Sequence, residues 1–163
     1  MDIDKKRSRA RNNAYSLLRV RPRSESEIKQ RLRLKGYDDA VISEVVEALR
    51  RTGDINDEKF AKFWVESRMH LAPVGDVVLK HELKGKGVED SIIEATLEDK
   101  AKNYDEYEVA FNIAREKFER LKKVDRQKAM KRLYDFLLRR GFKYDNVKKI
   151  VENLAGKRTG EEI

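Results

Sequence analysis

Three copies of one hydrophobic pattern, each centred on a glycine, organise the chain. In the clearest copy Gly36 follows Ile28 and Leu32, and a second apolar series with helical spacing comes after it. The pattern recurs at Gly87 and Gly141, so that the glycines are 51 and then 54 residues apart. Apolar residues at this spacing form one face of an α-helix, which predicts two helices that meet at each glycine. The interval leaves room for a further helix, so we predict an all-α fold of three tandem three-helix, helix-turn-helix-like repeats in an elongated array, with or without curvature.

Local signals favour helix ends at these positions. Ser24 followed by Glu27 is typical of a capping box at a helix N-terminus. A glycine just after a helix adopts the left-handed conformation that helix ends require, and Asp38 is placed to cap the helix that follows. We interpret the residue after each glycine as a core side chain rather than a ligand-stacking one: Tyr37, Val88 and Phe142.

Prolines and aromatic residues set further boundaries. The first helix is expected from about Arg9 to Val20, because the residue before a proline, here Pro22, disfavours helical conformation. Trp64 is interpreted as a core anchor of the second repeat, and Pro73 as the opening residue of the next helix. The resulting segments are a flexible basic tail at 1–8, repeats at 9–53, 54–103 and 104–155, and a flexible tail at 156–163.

Composition narrows the class of protein. The 163 residues suffice for one domain or a short array of small ones, and 42% of them are charged. The absence of cysteine excludes a disulfide framework and thiolate metal sites. No apolar run approaches the roughly 18 residues of a membrane span, and no hydrophobic segment follows the polar N-terminal residues as in a secretory signal. We therefore expect a cytoplasmic protein with no membrane partner.

The net charge of +8 is unevenly distributed along the chain. Residues 1–53 carry a formal charge of +6, residues 54–104 carry −3 and residues 105–163 carry +5. Basic ends around an acidic centre are typical of a protein that contacts phosphate with its outer repeats and a protein surface with its centre. A solvated basic surface without a partner would show the same charges.

Catalytic and metal-binding signals are weak. His81 and Glu82 begin an H-E-x-x-H pattern, but Gly85 stands in place of its second histidine. The Gly85-Lys86-Gly87 segment lacks the rest of a phosphate-binding loop and is better explained as a helix end. Carboxylates alternate with Lys and Arg, as on solvated helix faces. We predict no catalytic, metal-binding or cofactor-binding residue, and we expect a protein that is not an enzyme.

Basic residues that helical spacing places beside the core are the candidate contacts. In the first repeat they are Arg19, Arg21, Arg23, Lys29, Arg31, Arg33 and Lys35. In the third repeat they are Lys128, Lys131, Arg132, Arg139 and Arg140. The structural markers of the repeats are Gly36, Gly87, Gly141 and Trp64. A basic face that only increases solubility would have the same spacing.

A three-helix unit with a short turn is close to a helix-turn-helix, which places its basic residues within reach of DNA. Recognition helices usually offer Asn, Gln, Ser or Arg to base edges near their N-termini. The third helices here are expected to begin with Asp38-Asp39, Glu89-Asp90 and Asp145-Asn146. Acidic residues at that position repel phosphate. Sequence-specific recognition of duplex DNA is therefore disfavoured, whereas contact with the DNA backbone, alone or beside another protein, stays open.

Three motifs in order give the chain a family resemblance. They are LRVRPRSE at 18–25, with Lys35-Gly36-Tyr37 further on, INDEKFA at 55–61, and ELKGKGV at 82–88. With Trp64 and Arg68 between the second and third motifs, the chain strongly resembles the RecX family over roughly residues 10–155. Two local departures are Asp54, where the family tends to have an apolar residue, and the 72–75 segment, a looser version of a basic turn.

The resemblance implies three tandem three-helix repeats and a regulator of the RecA recombinase in DNA repair, recombination and the SOS response. Members of this family are thought to lie in the groove of the RecA filament on single-stranded DNA. There they usually inhibit filament extension, ATP hydrolysis, strand exchange and coprotease activity. The implied partners are RecA and its filament, with possible direct contact to single- or double-stranded DNA, and we expect a monomer. A stand-alone DNA-binding module and a helical scaffold for another protein are the alternatives.

Overall fold

The computed structural model describes residues 2–160, with side chains through residue 156, and these residues form nine helices and no strand. The helices are α1 (Ile3–Val20), α2 (Glu25–Leu34), α3 (Asp39–Arg51), α4 (Asp57–Leu71), α5 (Asp76–Gly85), α6 (Asp90–Asn103), α7 (Glu106–Arg120), α8 (Arg126–Arg139) and α9 (Tyr144–Gly160). The three glycine turns follow α2, α5 and α8, which are the second helices of three successive groups of three. The predicted all-α repeat fold is thus confirmed.

The described residues assemble into two compact units. Within the described residues, one unit combines 2–66 with Glu82–Thr96, and the other combines Ser67–His81 with 97–160. Each unit contains one outer repeat, whereas α4, α5 and α6 of the middle repeat are each divided between the two units. The compact units therefore do not coincide with the repeats in the sequence.

The apolar faces that define the repeats form the cores of both units. In the first unit one cluster of buried side chains consists of Ala10, Ala14, Ile28, Leu32, Val41, Ile42, Val45, Val46, Leu49 and Ile55. In the second unit one such cluster consists of Ala110, Ala114, Phe118, Leu133, Leu137, Phe142, Val147, Ile150 and Leu154. Val88 and Phe142 are buried as predicted, but Tyr37 is only half-buried, and its hydroxyl accepts a hydrogen bond from Asn13 Nδ2 at 2.7 Å.

The same turn closes the second helix of every repeat. Gly36, Gly87 and Gly141 have φ values of 85°, 75° and 82°, the left-handed region that glycine adopts without strain. In each turn the amide two residues past the helix C-cap reaches back to a carbonyl in the last turn, as in Tyr37 N to Leu32 O at 3.2 Å. The equivalent bonds are Val88 N to Leu83 O and Phe142 N to Leu137 O. These bonds define a Schellman motif, which confirms that the three glycines occupy matching positions.

Two of these turns receive the N-terminus of the preceding repeat's second helix. In the first unit the Ser24 hydroxyl, at the start of α2, donates to the carbonyl of Lys86 at 2.7 Å. In the second unit the amide of Gly75, just before α5, donates to the carbonyl of Arg140 at 2.8 Å. Both acceptors directly precede the turn glycine. The two junctions therefore repeat one geometry, in which a helix start covers a helix end.

The close approach at these junctions requires glycine for a second reason. A Cβ added to Gly87 would lie 2.5 Å from the Cβ of Ser26, and one added to Gly141 would lie 2.6 Å from the amide nitrogen of Val78. A Cβ added to Gly36, in the first of the three described repeats, would meet nothing within 4 Å. Gly36 is thus needed for its backbone conformation alone.

Several helix boundaries differ from their predictions. The first helix begins at Ile3 rather than near Arg9, because the Asp2 side chain caps it. Lys6 also pairs with Asp38, the N-cap of α3, and Arg7 pairs with Glu44 in α3. Residues 3–8 are accordingly helical and not a tail.

The prediction for Pro73 is also wrong, because α5 begins three residues later and Pro73 lies in the connection before it, where its carbonyl accepts a hydrogen bond from Arg140. At the C-terminus α9 continues through Gly160, so that part of the segment predicted to be a tail is helical, and residues 161–163 and Met1 lie outside the described residues.

The N-cap predictions agree with the structure, with one difference. Ser24 and Glu27 form the complete capping box, since the Ser24 hydroxyl accepts from the Glu27 amide and the Glu27 carboxylate accepts from the Ser24 amide. Asp38 is the N-cap of α3 but makes no capping hydrogen bond with its side chain. That carboxylate lies 3.5 Å from the ammonium group of Lys6 instead.

Substitution of the turn glycines should separate their two roles. Gly36→Ala should lower the free energy of unfolding by about 1–2 kcal/mol, because a left-handed backbone is strained for Ala. Gly87→Ala should cost at least twice as much, since its Cβ would also collide with Ser26. Urea unfolding of both variants measures the difference. Equal losses would show that the junction relaxes without cost.

A charge placed at a core position of α5 tests the packing of the middle repeat. Leu83 is fully buried, so Leu83→Asp should lower the free energy of unfolding by several kcal/mol. Val77→Asp adds the same charge to the same helix at a side chain that is 63% exposed, and should change it by less than about 0.5 kcal/mol. Near-normal thermal unfolding of the Leu83 variant would contradict the core assignment.

Candidate binding surfaces

A basic cleft of about 170 Å³ lies in the first unit, beside the N-terminus of α2. Arg21 and Arg23 reach it from the segment between α1 and α2, Arg31 from α2 itself, and Lys86 from the turn after α5. The Ser24 junction brings these groups together, because it docks the start of α2 onto the carbonyl of Lys86. We call the group of residues that line this space the arginine cleft.

Glu27 is the acidic residue of the arginine cleft. Its carboxylate accepts hydrogen bonds from Arg21 at 2.7 and 3.1 Å, from Lys86 at 3.0 Å and from the Ser24 amide at 3.1 Å. Burial alone would raise the pKa of Glu27, but these hydrogen bonds lower it to about 2. Glu27 therefore remains ionised at neutral pH and holds Arg21 and Lys86 in place.

Trp64 supports the same two cations from α4. Its ring centroid lies 5.1 Å from Lys86 Nζ and 6.0 Å from the Arg21 guanidinium carbon, which are cation–π distances. The indole nitrogen donates to Glu82 at 2.8 Å, and Phe60 packs against the ring at a centroid distance of 5.9 Å. Trp64 is only half-buried, so its prediction as a core anchor needs correction: fully buried Phe60 is the core residue, and Trp64 forms a platform for cations.

Arg23 is the unsatisfied member of the cleft. Its Nε atom is buried, and no group among the described residues accepts a hydrogen bond from it. Burial lowers the pKa of Arg23, the positive charges of Arg21 and Arg31 lower it further, and Glu27 opposes them. The single carboxylate of the cleft is already bound by Arg21 and Lys86. Arg23 is thus a partly desolvated cation with no counter-ion in direct contact.

A second basic surface lies on α8 in the second unit. Lys128, Arg132 and Arg139 are exposed, and within the described residues none of the three forms an ion pair. Their spacing places them on one side of α8, opposite the buried Leu133 and Leu137. We call Lys128, Arg132 and Arg139 the α8 basic stripe, and its grouping agrees with the sequence prediction.

The remaining predicted contacts are largely engaged within the protein. Arg21 pairs with Glu27, Lys29 with Glu25, Arg33 with Asp39, Lys35 with Asn13, Lys131 with Asp135, and Arg140 with the carbonyl of Pro73. Arg19 and Arg31 are exposed and form no ion pair in the part of the chain that the structure describes. The structure therefore divides the twelve predicted contacts into cations without an ion pair and cations that already have a partner within the protein.

The third repeat replaces a surface ion pair of the other two repeats by apolar groups. Across the glycine turn Arg33 pairs with Asp39 at 3.0 Å in the first repeat, and Lys84 pairs with Asp90 at 3.3 Å in the second. Counted from the turn glycine, the corresponding residues of the third repeat are Leu138 and Tyr144. Leu138 is 36% exposed and Tyr144 is 58% exposed, and the Tyr144 ring packs edge-on against Tyr134 at 6.3 Å.

Leu138 directly precedes Arg139, so an exposed apolar side chain adjoins the α8 basic stripe on the same helix.

Two searches of the described residues bear on other kinds of site. No helix there is long and apolar enough to cross a membrane. Nor do those residues bring together three or more His, Cys, Asp or Glu side chains that could hold a metal ion.

The fold defines an all-helical class of protein, built from three tandem three-helix domains. Three family models match consecutive parts of the chain: the first RecX three-helix domain at 10–49, the second at 56–97 and the third at 104–151. The chain belongs to the RecX family, which confirms the resemblance seen in its motifs.

Curated relatives and solved structures agree with this assignment. The chain is 34% identical to "Regulatory protein RecX" of Amycolatopsis mediterranei (strain U-32), over 82% of this chain and 76% of that one. It is 32% identical to the protein of the same name from Prosthecochloris aestuarii, over 90% and 93%. The crystal structure of RecX from Lactobacillus salivarius matches with a TM-score of 0.78 at 26% identity, over 93% of this chain and 97% of that one.

Sequence reasoning missed the residues that complete the arginine cleft. The sequence indicates a helix end at Lys86, a capping box at Glu27 and family motifs that include both residues, but no contact between them. Both residues also have a second role, because Lys86 Nζ donates a hydrogen bond to the Glu27 carboxylate across the Ser24 junction. The capping box at Ser24 was visible in the sequence, but nothing in the spacing of residues indicated which carbonyl its hydroxyl would contact.

The low pKa of Glu27 predicts a pH-dependent contribution to stability. This contribution is fully present above the usual pKa of 4.5 and is lost as the pH falls towards the folded-state value of about 2. Glu27→Gln should lower the free energy of unfolding at pH 7 by about 1–2 kcal/mol. The gap between wild type and variant should close between pH 4.5 and 2 in urea titrations. Glu98→Gln, at an exposed position, should produce no such gap, and a pH-independent gap for Glu27→Gln would contradict the role of the carboxylate.

Proposed function

We propose that this protein is a non-enzymatic regulator that binds RecA and its filament on single-stranded DNA. It inhibits filament extension and, through this, ATP hydrolysis, strand exchange and coprotease activity. Membership of the RecX family supports a regulatory role, since relatives over most of the chain are named as regulatory proteins. We propose that it acts as a monomer in the cytoplasm.

The observation that carries the proposal is the surface of the third repeat. The α8 basic stripe is exposed, free of ion pairs among the described residues and adjacent on its helix to the exposed Leu138. Arginine and aromatic side chains are enriched at the energetic centres of protein interfaces. A surface that combines Arg132, Arg139 and Tyr144 therefore suits an acidic protein partner better than it suits solvent.

The apolar side chains of the third-repeat surface favour a protein partner over bare DNA. Bare DNA would favour cations alone, because phosphate contacts account for most non-specific affinity. Leu138 and Tyr144, which replace an ion pair in this repeat, add apolar area that a protein partner can bury. We therefore place the RecA contact on the third repeat.

Reversing the charges of the α8 basic stripe tests the proposal. The Lys128→Glu, Arg132→Glu, Arg139→Glu triple variant should need at least about tenfold more protein to inhibit RecA ATPase on preformed filaments. All three side chains are exposed, so the variant should unfold at nearly the wild-type temperature. The ATPase assay with wild type and variant in parallel measures the effect.

A matched control separates this surface from net charge. Arg115→Glu, Arg120→Glu, Lys123→Glu makes the same charge change at exposed positions of the same unit, outside α8, and should inhibit like wild type. Equal loss in both variants would assign inhibition to net charge, and no loss in either would remove the stripe from the mechanism.

Titration of single- and double-stranded DNA at two salt concentrations tests the stand-alone DNA-binding module, which predicts tight, salt-dependent binding without RecA.

A further inference from the structure

We propose that the arginine cleft is a binding site for a phosphate group. The cleft gathers three guanidinium groups and one ammonium group, Arg21, Arg23, Arg31 and Lys86, around the single carboxylate of Glu27. All these residues belong to the first unit, so the inference is independent of the RecA contact proposed for the third repeat.

The charges of the cleft are unbalanced without a ligand. Glu27 accepts hydrogen bonds from Arg21 and Lys86, which leaves Arg23 and Arg31 with no ion pair among the described residues. Guanidinium groups that lie close together repel one another, and partial burial of Arg23 strengthens the repulsion because less water screens it. An anion in the cleft would turn this repulsion into attraction.

The buried Nε atom of Arg23 is the second observation. Buried polar atoms in folded proteins are nearly always hydrogen-bonded, and one that is left unpaired costs free energy. Arg23 lines the cleft, and Glu27, the one carboxylate there, is already engaged. A ligand that carries acceptor oxygens would bind the Arg23 guanidinium group from the cleft and offset the cost of its partly buried, unpaired charge.

Pre-organisation distinguishes this cleft from scattered surface cations. Glu27 fixes Arg21 through two hydrogen bonds, and the face of Trp64 lies against both Arg21 and Lys86. Neighbouring Gln30 adds an amide that also lines the space. Because these groups are held in place before binding, the ligand would not have to order them.

The number of donors in the cleft favours phosphate over carboxylate. The donors come from three separate segments: the one before α2, α2 itself and the turn after α5. A tetrahedral phosphate offers several oxygens to such a set, whereas a carboxylate offers two in one plane. Arginine forks bind phosphate oxygens in pairs, which suits Arg23 and Arg31. The phosphate could come from a nucleotide or from the backbone of single-stranded DNA.

Thermal unfolding with inorganic phosphate tests the site directly. The full chain should show a saturable rise in Tm with phosphate, measured against sodium chloride at equal ionic strength. Arg31→Gln should weaken the apparent affinity about tenfold or more, because it removes a charge-assisted contact. Arg19→Gln removes the same charge from an exposed residue outside the cleft and should retain the wild-type response.

Arg23→Gln separates a ligand-binding role from a structural one. Without phosphate this variant should unfold at or above the wild-type Tm, because it removes an unpaired, partly desolvated cation, and it should lose the response to phosphate. A merely structural Arg23 predicts a lower Tm and a retained response. Equal Tm in phosphate and chloride for wild type, or equal loss in the Arg19 and Arg31 variants, would overturn the proposal.

The source of the phosphate follows from two further ligands. Thymidine 5′-monophosphate supplies a terminal phosphate, and oligothymidylate without a terminal phosphate supplies only backbone phosphates. Tighter binding of the oligonucleotide that depends on Arg31 identifies the DNA backbone as the source. Binding of the monophosphate alone identifies a nucleotide, and failure of both to bind would contradict the site.

Discussion

A glycine with left-handed backbone, placed where one helix ends and another begins, is the constraint on which this structure depends. At Gly87 and Gly141 the turn leaves no room for a Cβ, because the start of another helix lies against it. The carbonyl that precedes each glycine is the acceptor for that helix start, from Ser24 in one unit and Gly75 in the other. The hydrogen bond forms only because the helix start lies close to the turn, and a side chain at the glycine would prevent this close approach.

The arginine cleft is a direct consequence of this junction. Docking the N-terminus of α2 on the carbonyl of Lys86 brings the basic segment before α2 beside the basic turn after α5. The capping carboxylate of Glu27 then lies between cations from both segments and satisfies Arg21 and Lys86. One carboxylate cannot neutralise four cations, so a contact that stabilises the fold also creates an electropositive site.

The third repeat has diverged from the shared plan in ways that concern its surface more than its core. Its second helix, α8, has 14 residues where α2 and α5 have 10, and the extra turn carries further basic side chains. Its glycine turn keeps the Schellman hydrogen bonds but exchanges the flanking ion pair for Leu138 and Tyr144. The repeats keep apolar residues at buried positions, which preserves the fold, whereas their exposed residues differ and can form different binding surfaces.

The sequence by itself determined the helical repeat, the turn glycines, the capping box and the α8 basic stripe, because each depends on neighbours within about one or two helical turns. It also carried the family motifs. Only the tertiary structure decided the division into two compact units, the half-burial of Trp64 and the position of Arg21 and Lys86 against the same Trp64 ring. Helical periodicity defines which side of a helix is buried, but not which distant side chain will lie against it. For that reason the paired and unpaired cations, which have the same spacing in the sequence, could be told apart only in the folded protein.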